Sequence, residues 1–237
     1  SSDLLREQWP QLTFYHLDTG DLLPETVEAV KTVESMVPHF CRITTNVKDW
    51  IQANGLPSDL VPSSCTVPGL ALAHGQAGRR RIVDTFTCCT ANRWEPLRHR
   101  ILNDGVTLIV RGGRQEDPGM GLVWRAAGVP IGECSKGIDG VEHWFPLLRW
   151  SADDVLGYLR SVGAPVSKFY SYRSQAPECA TCPAHWDEGR STYLQENHPE
   201  LARRYHADLA ALHREIAPWA QALDRELGTN FLSNLRK

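Results

Sequence analysis

Four cysteines in two pairs are the residues of this chain whose types and spacing most clearly indicate chemistry. Cys88 and Cys89 are adjacent, and Cys179 and Cys182 follow far along the chain at C-x-x-C spacing. Two intervening residues let both sulfurs of a C-x-x-C turn toward one point, and an adjacent pair can do so at a kinked helix start. Two pairs of thiols suit a tetrahedral sulfur cage, which can hold zinc or an iron–sulfur cluster.

Three other interpretations of the thiols compete with a metal site. They are structural disulfides, buried apolar cysteines and a thioredoxin-type redox pair. The chain has 7 cysteines, an odd number, and its N-terminus does not resemble a signal peptide, which disfavours a secreted disulfide framework. A redox C-x-x-C would leave Cys88-Cys89 unexplained. The sequence therefore favours a four-thiolate metal site.

The bulk composition is that of an ordinary globular protein. With 237 residues and 42% hydrophobic residues the chain can bury a real core. The formal net charge of −3 argues against a broad nucleic-acid-coating surface. No apolar run reaches membrane-spanning length, so we expect a cytoplasmic protein without a membrane partner.

The N-terminal third predicts a strand, a helix and a second strand. Residues 12–17 form an apolar run, Pro24-Glu25-Thr26 opens a helix, and residues 40–44 form the next strand. This order predicts a right-handed βαβ unit of an open α/β sheet. Residues 95–102 and 152–160 predict further helices, residues 106–110 a strand, and residues 191–227 a mostly helical tail.

Two loops at predicted strand ends are candidate ligand sites, because ligands of such sheets lie beyond the carboxyl ends of the strands. Asp18, Thr19 and Gly20 form either a plain strand-to-helix turn or a nucleotide contact. Arg111 and Arg114 surround two glycines, including Gly113, after residues 106–110. Two arginines beside flexible backbone predict an oxyanion site, with a polar turn as the alternative.

At these motifs the chain resembles the adenylyl-sulfate and phosphoadenylyl-sulfate reductases. These sulfonucleotide reductases belong to the PP-loop, or adenine nucleotide alpha-hydrolase-like, superfamily. The resemblance covers roughly residues 12–183, and its motifs, in order, are Leu17-Asp18-Thr19-Gly20 with Leu23-Pro24-Glu25-Thr26, Cys88-Cys89 with Arg93-Trp94-Glu95-Pro96-Leu97, Gly113-Arg114-Gln115-Glu116-Asp117, Phe145-Pro146-Leu147 with Trp150, Asp154-Val155 and Tyr158, and Cys179 with Cys182.

The resemblance implies a doubly wound, mostly parallel sheet with helices on both faces. The expected domains are 1–185, which binds an adenine nucleotide, and 186–237, a helical C-terminal extension. It further implies a [4Fe–4S] cluster on Cys88, Cys89, Cys179 and Cys182, for which zinc is the alternative. The nucleotide would lie near Asp18-Thr19-Gly20, with its anion facing Arg114, and Arg93 stands where the family has a lysine.

Two departures from the family pattern set further expectations. The PP-loop and the strand before it are absent, so we expect N-terminal residues to be missing from this chain. The reductases carry a nucleophilic cysteine in a C-terminal tail, whereas no cysteine follows Cys182 here. Cys65, on the long loop after Asn54, is the substitute that the sequence offers.

Three functions remain open at this point. The first is an oxidoreductase in which a thiolate attacks the sulfur of adenylyl sulfate or its 3′-phosphorylated form, and a thioredoxin-like protein releases sulfite; Arg93 and Arg114 would stabilise the developing negative charge. The second is a sulfurtransferase that uses ATP to insert sulfur into DNA or tRNA, with basic residues such as Arg79-Arg80-Arg81 on phosphates. The third is a non-catalytic, metal-stabilised nucleotide-binding module.

Overall fold

The structure is a computed structural model, and it describes residues 5, 8–61, 82–117, 133–137, 140–164, 166–172, 177–186 and 189–228. Within these residues, none of the helices is both long and apolar enough to span a membrane. Cys65 and Arg79-Arg80-Arg81 lie outside the described residues.

The described elements alternate between strands and helices over the first half of the chain, and helices dominate after residue 150. In chain order they are β1 (Phe14–Asp18), α1 (Pro24–Met36), β2 (Phe40–Thr44), α2 (Val47–Asn54), β3 (Leu56–Ser58), β4 (Ile82–Asp84), α3 (Thr85–Cys89), a π-helical turn (Thr90–Trp94), α4 (Glu95–Asn103), β5 (Leu108–Val110), β6 (Cys134–Lys136), β7 (Glu142–Trp144), α5 (Ala152–Ser161), a 3₁₀ turn (Lys168–Ser171), α6 (Arg190–Asn197) and α7 (Pro199–Glu226).

The described strands form three small sheets. β1 pairs with β2, β3 pairs in parallel with β4, and β7 lies between a parallel β5 and an antiparallel β6. The Phe14 N–H bonds to the His39 carbonyl and the Thr45 N–H to the Asp18 carbonyl, so β1 and β2 also run parallel. The predicted α/β class is confirmed, whereas the single doubly wound sheet remains a prediction.

Local sequence signals set the ends of several helices. Pro24 begins α1, where its fixed φ and missing N–H are tolerated. Ser151 caps α5 in a capping box, accepting the Asp154 N–H while the Asp154 carboxylate accepts the Ser151 N–H. Pro199 separates α6 from α7 because a proline is tolerated at the start of a helix and not in its continuation.

The described chain divides into two compact units, each built from three separate segments. The first contains Ser1–Leu17, Pro24–Ile43 and Pro96–Tyr170, and the second contains Asp18–Leu23, Thr44–Glu95 and Ser171–Lys237. Both cysteine pairs and both C-terminal helices belong to the second unit. These units are defined by contacts and do not test the predicted domain boundary at residue 185, which remains a prediction.

Each unit has its own apolar core. In the first unit Phe145 and Phe169 are buried. In the second unit Ile82 of β4, Leu194 of α6 and Tyr205 of α7 are fully buried. Burial of such side chains supplies roughly 1.5–3 kcal/mol each, and this burial anchors the elements that carry the cysteines.

Candidate functional site

The first cysteine pair ends a short capped helix. Asp84 is the N-cap of α3, and its carboxylate accepts the Thr87 N–H at 2.8 Å and the Thr87 hydroxyl at 2.6 Å. Cys88 and Cys89 close this helix, and the π-helical turn follows at once. The sequence suggested an adjacent pair at a kinked helix start, whereas the pair lies at the end of a short helix, directly before the π-helical turn.

Pro96 explains the irregular hydrogen bonding of the π-helical turn. A proline has no N–H, so Pro96 cannot donate to the carbonyl four residues earlier, which belongs to Asn92. The Thr45 hydroxyl donates to that carbonyl at 2.9 Å, and the Glu95 N–H bonds five residues back to Thr90. Such π-bulges occur frequently at functional sites, and this one directly follows the cysteines.

The second cysteine pair lies on a loop that is bonded to the turn after β1. The Ala180 N–H donates to the Asp21 backbone carbonyl at 2.6 Å. The Thr181 N–H and hydroxyl donate to one carboxylate oxygen of Asp21 at 2.9 and 2.8 Å. Ala180, Thr181 and Asp21 are all buried, so this connection is shielded from water.

All four predicted ligand thiols line one cavity of the second unit. Cys88, Cys89, Cys179 and Cys182 contribute to its wall, and its volume is about 340 Å³. Among the described residues every cysteine is a free thiol, so the disulfide interpretation gains no support here. The tertiary fold thus brings together the residues that the sequence singled out.

Burial disfavours bare thiolates in this cavity. Burial raises the pKa of the Cys88 thiol to about 12, and the sulfurs of the other three cysteines add to the rise. Burial likewise raises the pKa of Cys179 to about 11, although the Thr19 hydrogen bond opposes that rise. Burial also raises the pKa of Cys182. These three sulfurs become stable anions only beside a compensating positive centre.

Each of the four sulfurs nevertheless has a neighbouring hydrogen-bond donor. The amide of Asn92 lies 3.8 Å from the Cys88 sulfur, and the guanidinium of Arg93 lies 3.9 Å from the Cys89 sulfur. The Thr19 hydroxyl oxygen and the Cys179 sulfur are 3.5 Å apart. Cys182 accepts a bond from the backbone of Ala184. Donors around sulfur suit thiolate ligands, whose lone pairs accept such bonds.

Ion pairs surround the thiols. Arg93 pairs with Glu178, the residue before Cys179, so this pair connects the two cysteine segments. Lys48 lies 3.8 Å from the Asp21 carboxylate and Arg204 pairs with the same carboxylate. Arg93, Lys48 and Arg204 all line the cavity, which gives its wall cationic groups suited to an anionic ligand.

The donor set of this cavity fits a metal or an iron–sulfur cluster in ligand type and number. Four thiols from two segments face one space, as a four-thiolate site requires. The described residues contain no group of three or more histidine, cysteine, aspartate or glutamate side chains already arranged to hold a metal ion. The assignment of Cys88, Cys89, Cys179 and Cys182 as ligands therefore stays a prediction.

The Asp18-Thr19-Gly20 turn lies at the carboxyl end of β1, as predicted. The Gly20 N–H bonds to the Asp18 carboxylate at 2.9 Å, and Gly20 has a φ of +74°, which favours glycine. Thr19 is buried and its hydroxyl faces Cys179. This turn thus supports the C-x-x-C loop, a role that its sequence did not signal, while its nucleotide contact stays a prediction.

The predicted oxyanion loop follows β5, and its main cation is already paired. The Arg114 guanidinium contacts the Glu116 carboxylate at 2.5 Å and the Asp117 carboxylate at 2.6 Å. The Arg114 side chain is only 12% exposed. An anion at Arg114 must therefore compete with two local carboxylates. The roles of Arg111, Gly113 and Arg114 in nucleotide binding stay predictions.

The sequence missed three residues that support the cysteine loop. Asp21, Arg190 and Arg204 each hydrogen-bond to the segment between Cys179 and Cys182 or to Cys182 itself. Asp21 directly follows the Asp18-Thr19-Gly20 motif, which the sequence analysis identified as a candidate ligand site. Arg190 belongs to no motif, and Arg204 drew attention only as part of the basic stretch Arg203-Arg204 that could contact phosphates, so no local signal indicated their contacts with the cysteine loop.

The comparison with known protein families gives one match. The family model described as the phosphoadenosine phosphosulfate reductase domain matches residues 1–184. That range includes both cysteine pairs and the two predicted ligand loops, and it ends before α6 begins. A search of curated proteins found no match.

Proposed function

Because the chain belongs to the phosphoadenosine phosphosulfate reductase domain family, we propose that it is a reductase-like enzyme that binds an adenine sulfonucleotide beside a [4Fe–4S] cluster. One observation carries the proposal beyond family membership. Four thiols from two distant segments line one cavity, and each sulfur has its own hydrogen-bond donor.

Cys88, Cys89, Cys179 and Cys182 would hold the cluster, with a single zinc ion as the alternative occupant. When bound, the cluster supplies a charged centre that stabilises the four thiolates and polarises a nearby anion. The chain's own contribution is the donor shell of Asn92, Arg93, Thr19 and the Ala184 backbone. These groups orient the sulfurs and favour their anionic form.

The substrate is an adenylated sulfate, with or without a 3′-phosphate. Arg93 and Lys48 line the cavity and can face its negative charge. The Asp18-Thr19-Gly20 turn would contact the nucleotide, and Arg111, Gly113 and Arg114 would contact its phosphosulfate. Arg114 would exchange its bonds to Glu116 and Asp117 for bonds to the substrate.

The reaction is a transfer of the sulfo group to a cysteine thiolate. The thiolate attacks the sulfur, the bond from sulfur to the nucleotide phosphate oxygen breaks, and AMP or its 3′-phosphorylated form leaves with the electron pair. A dithiol protein of the thioredoxin class then reduces the S-sulfocysteine, which yields sulfite and a disulfide on the reductant. Cys65 is the candidate nucleophile, and Arg93 stabilises the departing negative charge.

The remaining expectations belong to the same proposal. A doubly wound, mostly parallel sheet accompanies this family resemblance. The adenine-nucleotide domain would span residues 1–185 and the helical extension residues 186–237. Reduced thiols and a dithiol reductant suit the cytoplasm.

The first test is the content of metal and acid-labile sulfide in full-length protein purified without oxygen. We expect about four iron and four sulfide per chain, with a broad brown absorption. Sulfite release is then measured with adenylyl sulfate, its 3′-phosphorylated form and ATP, each with a thioredoxin-type reductant. Cys65→Ser is expected to abolish sulfite release, and Cys134→Ser is the control because Cys134 is exposed on β6.

Contrary outcomes point to the other functions. One zinc per chain without sulfide, and no turnover, would replace the proposal with a metal-stabilised nucleotide-binding module. ATP consumption that depends on DNA or tRNA, without sulfite release, would replace it with sulfur insertion into nucleic acid. Unchanged sulfite release by Cys65→Ser would remove Cys65 from the reaction.

A further inference from the structure

The two helices after residue 189 contribute two arginines to the C-x-x-C loop. Arg190 begins α6, is 2% exposed, and donates to the Cys182 backbone carbonyl at 2.6 Å. Its guanidinium carbon lies 5.7 Å from the centre of the Tyr205 ring on α7. A guanidinium combines a planar donor fork with stacking on an aromatic face, so Arg190 fixes Cys182 against both helices.

Arg204 of α7 contacts the residues between the two cysteines. Its Nε donates to the Thr181 hydroxyl at 3.2 Å, and its terminal nitrogen pairs with the Asp21 carboxylate. The other oxygen of that carboxylate accepts the Thr181 N–H and hydroxyl. Asp21, Thr181 and Arg204 therefore form a closed polar network that connects α7 to the cysteine loop.

Both arginines lie beyond residue 184, where the match to the family model ends. We propose that the C-terminal helices are part of the cysteine site, and that Arg190 and Arg204 are positioning residues that hold Cys179 and Cys182 in place for the metal group. This inference rests on the proposed function, because it assumes that the cysteines bind a cluster.

The physical reason is the irregular backbone of the cysteine loop. Residues 177–186 contain no helix or strand, so bonds from other segments must fix the direction of both sulfurs. Groups that orient metal ligands in this way typically change metal affinity 10–100-fold when they are removed. We expect Arg204 to affect the residues between the two cysteines more than Arg190 does, because Arg204 bonds to Thr181 both directly and through Asp21.

The test uses the full chain with three substitutions on α7. Arg204→Ala removes the network, and Arg204→Lys keeps a charge that can pair with Asp21 but lacks the fork that also reaches Thr181. Arg203→Ala is the matched control, since Arg203 is exposed and pairs with Glu200 of its own helix. Each protein is reconstituted without oxygen from ferrous iron and sulfide, and iron and sulfide are counted.

The decisive readout is the decay of the visible absorption in excess chelator. We expect decay about tenfold faster in Arg204→Ala, an intermediate rate in Arg204→Lys, and the wild-type rate in Arg203→Ala. Far-UV circular dichroism of the metal-free proteins is expected to be unchanged. If Arg204→Ala does not fold, Thr181→Val carries the test, because it removes one hydroxyl at constant volume, and we expect severalfold faster decay.

Two results would overturn the inference while the proposed function stands. One is wild-type decay in Arg204→Ala, or in Thr181→Val where that variant carries the test. The other is equally fast decay in Arg203→Ala, which would indicate a general effect on the helix. Failure of the wild-type protein to take up iron and sulfide would instead refute the proposed function, and the inference with it.

Discussion

Asp21 is buried, and replacing it with asparagine is expected to destabilise the metal-free protein more than the same replacement of an exposed aspartate. The Asp21 side chain is 4% exposed and its two oxygens accept three hydrogen bonds, two from Thr181 and one from Arg204. Asparagine has one carboxamide oxygen and one NH₂ group. The NH₂ group would therefore face at least one of the groups that now donate to Asp21, from Thr181 or from Arg204.

The size of the effect follows from these contacts. A hydrogen bond to a charged group contributes about 1.5–3 kcal/mol, and a buried donor left without an acceptor costs about 1–3 kcal/mol. Removing one partner of a buried ion pair costs about 3–5 kcal/mol, but the Arg204 side chain is 36% exposed and can reach water. We therefore expect a loss of about 2–4 kcal/mol.

Equilibrium unfolding in urea, followed by circular dichroism, measures this loss. Asp153→Asn is the control, because Asp153 is an exposed residue in the first turn of α5. Surface substitutions of this kind usually change stability by less than about 0.5 kcal/mol. A loss from Asp21→Asn no larger than that of Asp153→Asn would refute the network as a stabilising element.

Three further predictions test other parts of the structure. Thr45→Val, which removes the hydroxyl bonded to the π-helical turn, should lower the free energy of unfolding by about 1–3 kcal/mol in urea. Ser151→Ala should cost about 0.5–2 kcal/mol at pH 7. Because the Ser151 hydroxyl bond lowers the pKa of Asp154, the part of the capping that depends on the Asp154 charge is present above an unfolded pKa of about 3.9. It is lost as the pH falls through the lowered value, so urea unfolding near pH 2 should show a smaller difference. Glu116→Gln keeps an oxygen that can accept the Ala152 N–H at the start of α5, but it removes one of the two carboxylates that pair with Arg114. Calorimetric titration should therefore show severalfold tighter binding of adenylyl sulfate, and weaker binding would exclude competition at this loop.

Helix positions could be predicted from the sequence because their signals are local. Pro24 and the Ser151–Asp154 box each fix a helix end through their own backbone chemistry, and α1 and α5 begin as predicted. The strand at Phe40–Thr44 was also predicted at its observed bounds. Signals of this type act within a few residues and need no distant partner.

Short elements and exposure were harder to predict. Strand β3 lies in the long loop expected after Asn54, and helix α2 was not predicted from the sequence, since three and eight residues carry little periodicity. The strand predicted at residues 106–110 forms at Leu108–Val110, and Leu108 is 44% exposed. An apolar run indicates a strand, whereas its burial depends on what packs against it.

The sequence by itself determined which atoms are available for chemistry: two thiol pairs, an arginine after the first pair, and two polar loops at strand ends. Only the tertiary structure decided that all four thiols share a cavity and that Asp21 and Arg204 secure the second pair. The hydrogen bonds from Thr181 to Asp21 span 160 residues, and that from Arg204 to Asp21 spans 183. Because such contacts form only when the chain packs, no spacing or motif in the sequence encodes them locally.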